Sequence, residues 1–129
     1  MAFFGNFFLA HGWCLWWAWS LFGLVQIGSN RWFKGVAWKQ AMWIHRVSGA
    51  VILAITVYYA LKAWQTLGWK VLPNAHSVFV FPTLFSVGFV ALGGIASRTM
   101  LRGQIWNTRA ALLVKSAHRI FAYLLLLVS

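Results

Sequence analysis

Aspartate and glutamate are absent from all 129 residues, while lysine and arginine number 11. A chain without carboxylate side chains cannot run an Asp/Glu proton relay, perform paired-carboxylate catalysis or build a carboxylate metal site. Most pump and ion-exchanger chemistry is excluded on that ground. Cysteine is nearly absent as well. Cys14 stands alone, which rules out an intramolecular disulfide and leaves the redox compartment unreadable from thiols. No basic segment precedes the apolar start at Met1-Ala2-Phe3-Phe4-Gly5, so a retained first span is expected, with no cleaved signal or transit peptide. Ten-residue alternating segments, the mark of a membrane barrel, are missing. No connection is long enough to separate domains, and no soluble domain is expected after the last span.

What is present is hydrophobicity. Apolar residues make up 62% of the chain and the mean hydropathy is +0.75, far outside the soluble range. Crossing a bilayer takes about 20 apolar residues. Four such spans are expected, near 4–27, 41–64, 75–96 and 111–128. Gly28-Ser29-Asn30 and Pro73-Asn74 supply turn signals between them. The expected fold is all-α and integral to the membrane: one four-transmembrane-helix bundle over residues 1–129.

The basic residues are unevenly shared. Arg31, Lys34, Lys39, Arg46, Arg98, Arg102, Arg109, Lys115 and Arg119 flank the first and third connections; only Lys62 and Lys70 lie on the other side. That asymmetry puts both termini on the outer, P-side face of a bacterial or mitochondrial inner membrane. Trp32, Trp38, Trp43, Trp64, Trp69 and Trp106 sit near span ends, as interfacial anchors do. A net charge of +11 with no internal counter-charge calls for external anions: anionic lipid, acidic subunits of a membrane complex, or cofactor carboxylates. Nucleic acid is not an expected partner, because the charges lie at span ends.

Each span carries one histidine early in its run: His11, His45, His76 and His118. An ionisable group inside a span is costly and by default marks a function. Odd and even helices start on opposite faces, so the set divides into His11 with His76 and His45 with His118. Two imidazoles facing each other across a bundle match the axial positions of one haem iron. Two haem b groups are therefore expected, with these four histidines as the metal ligands. Gly49 and Ala122, one turn beyond His45 and His118, leave room for a flat macrocycle; Leu15 and Val80 occupy the matching places after His11 and His76. Arg46, Lys115 and Arg119 are the bases expected near propionates.

Leu9-Ala10-His11-Gly12 with Leu15-Trp16, Ala18 and Trp19 resembles the first core helix of the cytochrome b561 and ferric-reductase transmembrane family. Arg31-Trp32-Phe33-Lys34, Ile44-His45-Arg46, Trp106-Asn107 and His118-Arg119 are similar to later segments of that family, and the likeness runs along nearly the whole chain. The resemblance implies two b haems, ligated by helices one with three and two with four, relaying single electrons across the bilayer. An ascorbate-like donor is also implied. The family's outer helices have no counterpart here, which favours a small subunit of a larger redox complex, an oxidoreductase component more than a stand-alone enzyme.

Two other readings stand beside it. His45-Arg46-Val47-Ser48-Gly49 is similar to a segment of succinate dehydrogenase membrane anchors, which implies a quinone pocket lined by Ser48 and Arg46. A haem-free structural accessory subunit of a respiratory or photosynthetic complex fits the same composition.

Overall fold

Apolar runs of this length satisfy their backbone groups internally, because the hydrocarbon core offers no water to bond them. In the computed structural model, which describes residues 2–32, 37–70, 74–102 and 109–128, every regular element is helical and the described residues contain no strand. The elements are α1 (Ala2–Trp17), a π-helical turn (Ala18–Phe22), α2 (Gly23–Trp32), α3 (Trp38–Thr66), α4 (Ala75–Arg102) and α5 (Arg109–Val128). Phe33, Lys34, Pro73, Trp106 and Asn107, used in the sequence reading, lie outside the described residues.

Among the described residues, three stretches are long and apolar enough to cross a membrane: Asn6–Trp32, Trp38–Thr66 and Val78–Met100. These correspond to the first three expected spans and mark an integral membrane protein. α5 coincides with the fourth expected span but is not among the three; it holds Arg109, Lys115 and Arg119 within twenty residues.

Hydroxyls inside these helices bond back to their own backbone. Ser48 donates to Ile44 O at 2.8 Å, Thr56 to Ile52 O at 2.7 Å and Thr83 to Phe79 O at 2.8 Å. Such i−4 bonds let a polar residue sit in an apolar span without an outside partner. Large side chains face outward: Trp13, Trp16, Leu24, Phe85, Leu92 and Leu113 are all more than half exposed, the distribution expected where lipid replaces water.

The chain resolves into two compact units, Met1–Ser77 and Val78–Ser129. In the first, the α1–π–α2 span runs antiparallel to α3. Its interface is built of small residues, with Ala18, Ser29, Ala41 and Ser48 buried, which lets backbones approach closely. In the second, α4 pairs antiparallel with α5, and the Phe89 and Phe121 rings meet with centroids 4.7 Å apart and planes tilted by 55°. Pro82 lies inside α4. In the turn that follows α3, Gly68 and Trp69 have φ of 64° and 63°. A tryptophan there is strained, and its ring rests edge-on against Trp64 at 5.4 Å.

Candidate functional site

The lower end of the first unit gathers polar atoms from three elements. Antiparallel packing brings Phe7, His11 and Cys14 of α1 against Tyr59 of α3. The Tyr59 ring lies 5.9 Å from His11 and 6.2 Å from Phe7, and its hydroxyl donates to Cys14 Sγ at 3.0 Å. That bond fixes the phenol, and the phenol fixes one side of the imidazole. His76, in the first turn of α4, completes the group: its ring is 6.1 Å from that of His11, with the planes at 79°. The His11 imidazole is half-buried. Its Nδ1 is buried with no hydrogen-bond partner. An unmet polar atom in apolar surroundings costs about 1–3 kcal/mol.

Two imidazoles sharing one metal on a common axis hold their centroids roughly 6 Å apart, from two bonds of about 2 Å and the ring radii. The His11–His76 separation fits that spacing. His11 is half-buried and His76 exposed, so the pair is open on one side.

His45 and His118 are held in a different way, and in the same way as each other. His45 Nδ1 donates to the Gln26 carbonyl of α2 at 2.9 Å. His118 Nδ1 donates to the Val90 carbonyl of α4, also at 2.9 Å. A carbonyl only accepts, so Nδ1 carries the proton in both rings. This is the arrangement a metal-ligating histidine carries, with the second nitrogen anchored to the protein.

No family model, curated protein or solved structure matches this chain.

Local packing explains how each ring reaches its carbonyl. A Cβ at Gly93 would stand 3.4 Å from His118 Cβ and 3.5 Å from its Nδ1, and one at Gly94 would stand 3.5 Å from Cε1. The His118 ring thus lies on a shelf of bare α4 backbone. Gly49 does something other than the sequence reading expects. The room beside it holds the Gln26 amide, since a Cβ there would meet Gln26 Nε2 at 2.5 Å. Ala122 is half-buried in α5, one turn after His118. Of the three expected propionate partners, Lys115 is half-buried and three residues from His118, on its face. Arg46 and Arg119 are exposed and each directly follows its histidine, about 100° around the helix from it.

Ser48, the expected quinone-lining residue, is 4% exposed, and its hydroxyl is taken up by the Ile44 and His45 carbonyls. It does not line an open site. Sequence reasoning did not single out Tyr59, Gln26, Gly93 or Gly94. A glutamine inside an apolar span and a paired glycine in mid-helix were the available signals.

Proposed function

We propose that this chain is a b-type cytochrome of the membrane, relaying single electrons between two haem sites as a small subunit of a larger redox complex. The observation that carries the reading is the His11–His76 pair: two imidazoles from separate helices, 6.1 Å apart and nearly perpendicular, one with a buried unpartnered Nδ1. A histidine kept only for packing has no need of a second histidine at that spacing.

Haem, when bound, supplies a one-electron carrier. His11 and His76 would hold it near one membrane face, and His45 and His118 near the other. With Nδ1 of His45 and of His118 anchored to a carbonyl, Nε2 would be the ligating nitrogen. At the outer level His11 would supply one ligating nitrogen, with the Tyr59 and Phe7 rings packed beside it. Lys115, Arg46 and Arg119 offer positive charge to propionates. Without Asp or Glu in the chain, the spans have no carboxylate side chain to carry protons with the electrons.

The reading includes α5 as a fourth crossing, which places both termini on the P-side of a bacterial or mitochondrial inner membrane. The uncompensated charge of +11 is met by anionic lipid and acidic subunits, and the donor is a quinone or ascorbate-like reductant. Haem extraction from the purified chain tests it. Two b haems per chain are expected; a haem-free protein that binds none on reconstitution refutes the proposal.

A further inference from the structure

The first span changes its winding once. At the π turn the Gly23 N–H reaches back five residues to the Ala18 carbonyl, one residue further than an α-helix allows. The residues of this span that meet α3 show what the turn does. Phe7, His11, Cys14 and Ala18 follow α-helical spacing on one face. A continuing α-helix would next bring Phe22 and Val25 to that face. Instead Gly23 and Gln26 arrive there: Gly23 is buried, Gln26 accepts from His45, and Val25 is 40% exposed.

The second hairpin gives the comparison. Fourteen residues separate His76 from Val90, whose carbonyl anchors His118. That is about four turns of α-helix, or about 20 Å. In the first span fifteen residues separate His11 from Gln26, whose carbonyl anchors His45. The π turn takes up the one additional residue.

We propose that the π turn Ala18–Phe22 is a register device. It restores the four-turn spacing between a histidine at one end of the span and a histidine-anchoring carbonyl at the other. One helix can then serve both histidine levels from a single face. The purpose of this device rests on reading those levels as haem sites; the register itself does not.

Two deletions test it in the full chain in lipid nanodiscs. Removing Ser20 takes one residue from the π turn and leaves an α-helix with both faces in register. Removing Ala54 from α3, between His45 and Tyr59, leaves no spare residue to absorb the change. The readouts are the imidazole 15N shifts of His45, taken in the reduced, diamagnetic state, and the alkylation rate of Cys14 by a membrane-permeant maleimide. The Ser20 deletion is expected to keep the protonated-Nδ1 pattern of His45 and the slow alkylation of Cys14. The Ala54 deletion is expected to lose one or the other. Loss of the His45 pattern in the Ser20 deletion overturns the proposal, as does retention of both features in the Ala54 deletion. Failure of the Ser20 deletion and a Leu21 deletion alike to fold overturns it too. Both readouts work with or without bound haem, so a haem-free chain would sink the cofactor reading and leave this inference standing.

Discussion

Substitution at Gly93 measures how closely His118 depends on bare backbone beneath it. In Gly93→Ala the new methyl would lie 3.4 Å from His118 Cβ, 3.5 Å from Nδ1 and 3.8 Å from Cγ. Those are contact distances, so the ring stays. Replacing a mid-helix glycine by alanine also gains about 0.8–1.0 kcal/mol of helix propensity, so this variant should match the wild type or exceed it by up to about 1 kcal/mol. Gly93→Val differs in kind. Its γ-carbons extend roughly 1.5 Å beyond Cβ, and β-branching leaves one favoured rotamer in a helix. The ring must shift, and the 2.9 Å bond from Nδ1 to Val90 O is lost. A donor orphaned in apolar surroundings costs about 1–3 kcal/mol, and overpacking adds about 1–3 kcal/mol. A loss of about 2–6 kcal/mol is expected, read by reversible unfolding in mixed detergent micelles. The His118 15N shifts should lose the protonated-Nδ1 pattern in the valine variant alone. If alanine disrupts as much as valine, or valine leaves both stability and shifts unchanged, the shelf argument is wrong.

Three further outcomes follow from the contacts. Tyr59→Phe removes the donor to Cys14 Sγ and should cost about 0.5–1.5 kcal/mol, with faster Cys14 alkylation as the second reading. Gly49→Ala forces the Gln26 amide aside; Gln26→Ala removes the clash, so the double variant should be more stable than the sum of its singles by about 1 kcal/mol. Ser48→Ala removes a hydroxyl bonded only within its own helix. It should change stability by under about 1 kcal/mol and leave quinone response untouched, where a quinone-lining serine would not.

Helix placement was legible because hydrophobic length alone fixes where a chain can cross a bilayer. The expected stretches 4–27 and 41–64 fall within longer helical runs, and 75–96 starts with α4 at Ala75 but stops short of its end at Arg102. Odd-and-even helix logic paired His11 with His76, and their rings do approach. The anchoring of His45 and His118 was not legible, because backbone carbonyls carry no side-chain signature. Nor was the π turn. Ala18-Trp19-Ser20-Leu21-Phe22 has nothing in its composition that asks for one residue too many. The turn becomes visible only when the residues facing α3 are followed across it. Gly49 shows the opposite failure: an absent side chain was read as space for a cofactor, and the Gln26 amide of the neighbouring helix fills it.

The central claim is that four histidines work as two pairs. Its most direct test is the reduced-minus-oxidised spectrum of the purified chain and of four single variants: His11→Ala, His76→Ala, His45→Ala and His118→Ala. Two low-spin b-type signals are expected in the wild type. His11→Ala and His76→Ala should abolish the same one, and His45→Ala and His118→Ala the other. A spectrum without haem, or four variants that all leave it unchanged, contradicts the account.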